Sequence, residues 1–374
     1  MKNLTPLFLA IWIACPSFGK EIKLSSPDNK TEIRITVNSG LSLTTSYQSQ
    51  MLFTVENIYL DVKGGDFKGA LNNIRSEHTR SVNQPIFPEI REKYGEIQDN
   101  FNELTLGFKG NYSFTIRAYN NGVAYRFNTT FQNEVIINHE NFDLHFADGD
   151  SIYLQKSTTF NSSYETPYEY GAVKDVKEEG YACLPVLLRK ENGTNIIVSE
   201  SDLKDYPGLW LKATGTSTMI SAFPGYPESF KSEGSPYVQG QVQDHGNIMA
   251  KVEGSRTYPW RIFAMAKNDA ELLHNTLVYQ LASPSEIEDV SWIEPGVVTF
   301  DWWGRRNIYG VDFKSGINTE TAKYFIDFCA DYGFAYFLFD DGWSKQDNLL
   351  EVHPDLDIRS YGQENSTRTL PQLL

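Results

Sequence analysis

Two short clusters late in the sequence combine carboxylates with indoles: Asp301-Trp302-Trp303-Gly304 and Asp340-Asp341-Gly342-Trp343. A carboxylate accepts hydrogen bonds from a sugar hydroxyl, and an indole lies flat against a pyranose face. That makes Asp301, Trp302, Trp303, Asp340, Asp341 and Trp343 candidate substrate-binding residues. Adjacent strand residues point to opposite faces, so only one of Asp340 and Asp341 can face a ligand. The other meets a backbone amide or a cation. A structural assignment competes for the first cluster, in which the indoles fill a rim and Asp301 pairs with Arg305 or Arg306. Arg261, in Pro259-Trp260-Arg261, reads as an ion-pair partner at a domain interface or as a side chain aimed into a site. The run Asp148-Gly149-Asp150 has only the look of a cation loop. No further ligands follow at calcium-loop spacing, so it is read as a turn. The 6 His residues are scattered, with no HExxH and no pairing with Cys, which argues against zinc. There is no GxSxG elbow, P-loop or GxGxxG.

The elements that would position these clusters change character along the chain. From about Ile22 to Leu281 the pattern is β. Ile33, Ile35 and Val37 alternate with polar residues, the two-residue period of a half-buried strand. Phe114, Ile116 and Ala118 alternate, Asn120-Asn121-Gly122 turns the chain, and Val123, Tyr125 and Phe127 alternate again. That is a hairpin whose turn residues tolerate positive φ. Similar runs recur at Leu41–Tyr47, Val135–Asn138, Ile152–Gln155, Leu184–Leu188, Ile196–Ser199 and Ala250–Val252. Many strands at short spacing, without an internal repeat, predict a large antiparallel sandwich. Ala270–Leu281 reads as one short helix with Leu272, Leu273 and Leu277 on one side, and Ser283-Pro284-Ser285 as a linker.

Beyond the linker the pattern becomes strand, helix, strand. Val297-Val298-Thr299-Phe300 predicts a short buried strand. Asn318 can cap a helix with Glu320 in its first turn. Ala322, Phe325, Ile326 and Cys329 form its apolar stripe, and Gly333 ends it. Phe334–Phe339 predicts a strand buried on both faces. Two buried strands that both finish in Asp/Trp clusters suggest the C-terminal rim of a (β/α)8 barrel. Such a barrel takes roughly 250 residues, far more than follow Trp292. Thr369 to Leu374 looks like the start of a further helix. The sequence is therefore expected to be a truncated or interrupted form of a longer protein.

The chain has 374 residues, 40% hydrophobic and 22% charged, which is a globular composition. Aromatics reach 14%, which suits a β-rich protein or a sugar binder. Lys and Arg number 33 against 48 Asp and Glu, a net charge of −15. A field of that sign repels phosphate backbones, so nucleic acid is excluded as a partner. Residues 1–19 read as a signal peptide: Lys2 is the positive start, Leu4 to Cys15 is mostly apolar, and Ser17-Phe18-Gly19 offers a cleavage site. The run is too short for a stable membrane span. Lipid attachment at Cys15 and a plain buried start are the alternatives. Export predicts a periplasmic protein, with outer-membrane association or secretion left open. It leaves Cys183 and Cys329, one possible pair but better read as two isolated buried thiols.

One ordered set of motifs carries a resemblance. It comprises Phe101-Asn102-Glu103-Leu104, Tyr119 to Phe127, Ser199-Glu200-Ser201-Asp202-Leu203, Tyr206-Pro207-Gly208 and Pro259-Trp260-Arg261. It continues with Trp292 to Gly296, Asp301-Trp302-Trp303, Gly316 to Glu320, Asp340-Asp341-Gly342-Trp343 and Pro354 to Asp357. Together these closely resemble family 97 glycoside hydrolases over nearly the whole chain. An Asp-Asp-Gly-Trp strand end also occurs in other α-galactosidase barrels, which form a remoter alternative. The resemblance implies an N-terminal antiparallel β-supersandwich (20–288) that binds carbohydrate. The first βα units of an incomplete (β/α)8 TIM barrel (289–374) would follow it. It implies an exported enzyme acting on terminal α-linked glucose or galactose, with an α-linked oligosaccharide as partner and a calcium ion in the site. Within the family some members invert with a Glu base and others retain with an Asp nucleophile. The positions that decide are not among those matched, and neither is the general acid. The 374-residue form is therefore expected to be inactive. The family's N-terminal domain donates a Glu to the calcium site. Glu200, after Ile196-Ile197-Val198, matches that position best, with Asp202 as a near competitor and a solvated strand-end carboxylate as the bland reading. The alternative for the whole protein is a non-catalytic carbohydrate-binding β-sandwich.

Overall fold

The computed structural model describes residues 20–38, 40–71, 73–90, 93–233, 240–345, 348–357 and 372–373. The signal-peptide reading of 1–19, with Cys15, lies outside them. The chain divides into two compact units. One takes the described residues up to Phe87, then Glu96–Ser229 and Val242–Pro284; the other takes Pro88–Gly95, Phe230–Gln241 and those from Ser285 onward.

In the first unit eighteen strands join one hydrogen-bonded network, and the strands pair antiparallel. The alternation seen in sequence is what the core uses. Thr31–Val37 buries Thr31, Ile33, Ile35 and Val37, and Leu41–Tyr47 buries Leu41, Leu43 and Thr45. These inward rows meet Phe53, Val55, Phe114, Tyr125, Phe142 and Phe263 in a single large core. Each such side chain stabilises the fold by about 1.5–3 kcal/mol relative to exposure.

The strand Trp260–Ala266 is buried at every residue, because both its faces are covered. Phe263 and Met265 enter the main core, while Trp260, Ile262 and Ala264 form a second cluster with Phe101, Tyr119, Leu277 and Leu281. The predicted hairpin is present: Tyr119 pairs with Gly122 across Asn120 and Asn121. Neither asparagine has a positive φ, so the turn does not use that freedom. Gly122 is required for another reason. A Cβ there would lie 2.7 Å from the Phe263 carbonyl oxygen and 2.5 Å from Leu277 Cδ2.

The expected helix over Ala270–Leu281 is instead two short helices, Asp269–Leu272 and Leu277–Leu281. Asn275 breaks it. Its side-chain amide donates to the carbonyls of Asn121 and Met265 at 2.9 and 3.2 Å, and its oxygen accepts from the Leu277 amide at 3.0 Å. Local side-chain bonds of this kind compete with helical backbone bonds. Leu273 is left exposed, while Leu277 is buried.

In the second unit Val298–Phe300 and Tyr336–Leu338 pair in parallel, joined by the helix Thr319–Tyr332. Asn318 caps that helix by accepting from the Thr321 amide at 2.9 Å. Gly333 ends it at φ 71°, in the left-handed region that favours glycine. Ala322, Ile326 and Cys329 are buried, and Phe325 stacks on Phe337 with centroids 5.4 Å apart. Tyr336 and Phe337 are both buried, as a strand covered on two faces requires. Two expectations are corrected. Val298, and Val297 just before the strand, are exposed rather than buried; among the described residues Val298–Phe300 is the edge of a three-stranded sheet. Where a helix was expected to start, Gln372–Leu373 is a short strand paired parallel with Tyr336–Leu338; residues 369–371 and 374 lie outside the described set. Cys183 and Cys329 are buried free thiols, as expected.

Candidate functional site

The second unit brings its two clusters to one edge. Phe300 pairs with Leu338 in parallel register, so Asp301 and Asp340 both follow strand ends on the same side. Asp301 begins a tight turn rather than ending the strand: Trp302–Gly304 is a single 3-10 turn, and Arg305 and Arg306 follow at φ 52° and 56°. Asp301 is fully buried. Arg306 Nε donates to its Oδ2 at 2.8 Å, and the Asp340 amide donates to its Oδ1 at 3.1 Å. Arg306 also donates to the Asp341 carbonyl at 2.6 Å and lies 5.4 Å from the Trp302 ring centroid. Asp301 thus ties two strand ends together through Arg306 and the Asp340 amide, with its carboxylate buried. Trp302 is half exposed and Trp303 is 87% exposed. Asp340 is half-buried and Asp341 exposed, while Trp343 packs against the helix core.

The first unit builds a deeper cluster around Glu200. That residue lies in the strand Asn195–Ser201, directly opposite Arg261. Arg261 Nη1 donates to Glu200 Oε2 at 2.6 Å, and the Leu209 amide donates to the same carboxylate at 3.1 Å. The other guanidinium nitrogens form a fork on Glu140 at 2.6 and 2.7 Å. The Tyr206 hydroxyl donates to Glu140 at 2.9 Å. Phe223 lies 5.2 Å from the guanidinium. The Arg261 side chain is 1% exposed, Glu140 2% and Glu200 14%, so Glu200 is the member that reaches solvent. Burial pushes the Glu200 carboxyl above the usual carboxylate range, against the pull of Arg261 and the Leu209 amide. Burial alone would lower Arg261, but the charge of Glu140 outweighs it and holds the guanidinium above its ordinary value. Arg261 is therefore a structural ion-pair partner.

Asp202, the near competitor, faces elsewhere. Its carboxylate accepts from the Ser283 amide and hydroxyl at 2.9 and 2.8 Å. Asp148-Gly149-Asp150 is a turn: Asp150 accepts from the Ala147 amide at 2.9 Å and is paired with the buried Lys190. Among the described residues no three His, Cys, Asp or Glu side chains converge to hold a metal ion.

Sequence reasoning missed Glu140, and quoted Tyr206 in a motif without giving it a role. A signal for Glu140 exists. It shares the inward phase of the strand Val135–His145 with Phe142 and Leu144, and a carboxylate on a core row needs a buried cation.

Comparisons with known proteins agree with this architecture. Residues 24–284 match the family model described as glycosyl-hydrolase 97 N-terminal, and residues 302–369 match glycoside hydrolase 97. A retaining alpha-galactosidase of Bacteroides thetaiotaomicron is 31% identical over 374 residues, covering 96% of this chain and 56% of the relative. The chain therefore spans little more than half the length of that curated relative. Two solved structures of a family 97 enzyme from a Pseudoalteromonas species, in complex with panose and with acarbose, superpose with a TM-score of 0.73. They are 21% and 20% identical and cover 91% of this chain and 52% of theirs.

Proposed function

The chain belongs to glycoside hydrolase family 97, and on that premise we propose that it serves the hydrolysis of terminal α-linked galactose or glucose. Galactose is favoured by the 31% identical relative, itself named a retaining alpha-galactosidase. The observation that carries the reading is the preorganised Glu200 carboxylate. It reaches the surface from a buried Arg261–Glu140–Tyr206 base, as a group needs to be held if it is to meet a ligand in fixed geometry.

Glycoside cleavage takes two carboxyl groups flanking the anomeric carbon. Asp301 is spent on Arg306 and the Asp340 amide, so it is assigned neither role. The chain's described residues bind and position; Trp302, Trp303 and Trp343 offer stacking faces, and one of Asp340 and Asp341 a hydroxyl acceptor. The parallel strand order, with a helix between the first two strands, supports reading Ser285 onward as the opening of a (β/α)8 barrel. Calcium stays a proposal of the resemblance. It takes six to eight oxygen ligands, and the described residues as they stand do not fit it, since no three His, Cys, Asp or Glu side chains among them converge. Export to the periplasm is proposed from residues 1–19. No helix among the described residues is long and apolar enough to cross a membrane.

Equilibrium dialysis of the 374-residue chain with nitrophenyl α-galactoside, α-glucoside and their β-anomers tests this. Retention of an α-anomer without turnover is expected. Turnover at an ordinary enzymatic rate would overturn the reading of the chain as binding without cleaving, and equal retention of the β-anomers would overturn the α-glycoside reading.

A further inference from the structure

The loop between the strands Ser151–Ser157 and Tyr168–Ala172 is fixed by its own side chains. Ser157 Oγ donates to the Thr159 carbonyl at 2.6 Å and Thr159 Oγ1 to the Asn161 carbonyl at 3.0 Å. Ser162 Oγ accepts from the Tyr164 amide at 3.1 Å. Gln155 Nε2 donates to the carbonyls of Tyr164 and Thr166 at 3.0 and 2.6 Å. All of this holds Tyr164 at φ 58°, a backbone region that bulky side chains rarely adopt and that tends to mark working positions.

Tyr164 stays 48% exposed as a residue. Its inner side leans on Trp210, with centroids 5.5 Å apart. Trp210 is 4% exposed and is met edge-on by Phe160, which stacks on Tyr181 at 4.1 Å. The floor beneath Tyr164 is therefore solid. Trp210 directly follows Leu209, whose amide is held by Glu200. Burial, with the charges of Cys183 and Glu200 behind it, raises the Tyr164 hydroxyl above its usual range, so the phenol stays neutral.

We propose that Tyr164 is a sugar-stacking residue: its open ring face, backed by Trp210, takes a pyranose ring of an α-linked oligosaccharide beside the Glu200 carboxylate. The proposal rests on the α-glycoside reading above. The face of an aromatic ring carries negative potential, and the C–H groups on one side of a pyranose meet it with weak positive potential. Glu200 offers a remaining lone pair to a hydroxyl, since a carboxylate has about four acceptor sites.

The test is titration calorimetry of the full 374-residue chain with panose and with melibiose, for the parent and for Tyr164→Ala, Tyr164→Gly and Tyr164→Trp. Glycine relieves the left-handed backbone, so that variant keeps its fold if alanine does not. Both truncations are expected to bind about tenfold more weakly, with Tyr164→Trp within about twofold of the parent. Parent-like binding by both truncations would remove Tyr164 from the site and leave the α-glycoside reading standing. Binding lost only together with the cooperative melting transition in both would make Tyr164 purely structural and overturn the proposal. A parent chain that binds neither sugar would bring down the α-glycoside reading and this proposal with it.

Discussion

Each unit holds an arginine against carboxylates, and the two clusters are built differently. Arg261 is gripped by residues far away in sequence, Glu140 at a separation of 121 and Glu200 at 61. It can meet both partners only after three strands have assembled. Arg306 reaches Asp301 five residues back, within one turn, and finds its second partner at the end of the neighbouring strand. Depth follows the same division: the side chain of Arg261 is 1% exposed and that of Arg306 12%. The deep cluster is a consequence of the whole fold and fixes one carboxylate at the surface. The shallow one is a local clasp that joins two strand ends and leaves the indoles beside it open.

Breaking the deep cluster should have the largest effect. Arg261→Ala leaves the buried Glu140 and the part-buried Glu200 without their cation and should destabilise the first unit by about 3–5 kcal/mol, read as a lower urea midpoint. A loss no larger than that of a surface substitution would show the cluster to be dispensable. Asp301→Ala should cost the second unit less, about 1.5–3 kcal/mol for a charge-assisted bond, and faster amide exchange at Asp340 should accompany it. If the Asp340 amide exchanged as before, Asp301 would not be the clasp. Smaller again is Asn318→Ala, which removes a helix cap and should cost about 1 kcal/mol; an unchanged melting temperature would argue against the cap.

The finest comparison is in acid, within the first unit. Glu103 is partly buried, which alone would raise its pKa, but Arg80 at 2.6 Å and Arg117 at 2.7 Å outweigh burial and hold it below the ordinary glutamate value. A depressed carboxyl stabilises the fold above its unfolded pKa of about 4.3 and loses that contribution as pH falls through the folded value. The parent should therefore lose stability with acid more steeply than Glu103→Gln. Parallel acid limbs would contradict the pairing.

Much of the frame was legible in the sequence. Period-two rows placed the strands, a cap residue and a glycine bounded the long helix, and an ordered set of motifs gave the family. What escaped depended on partners remote in sequence. Val298 lies on an edge, which no local pattern announces. Asn275 splits a helix because the Asn121 and Met265 carbonyls wait for its amide. Glu200 stood out by resemblance, but its anchor Glu140 lies sixty residues earlier on another strand. The Arg306 pairing of Asp301 was legible from five residues away, but its bond to the Asp340 amide was not, because that partner stands on the next strand's end.

The central claim is that this chain presents a fixed carboxylate and aromatic faces to α-linked sugar. Calorimetry of the intact 374-residue chain with melibiose and panose against cellobiose addresses it most directly. Saturable heat with melibiose or panose at millimolar concentration and none with cellobiose is the predicted result. Silence with melibiose and with panose alike, or indifference between the α- and β-linkages, would contradict the account.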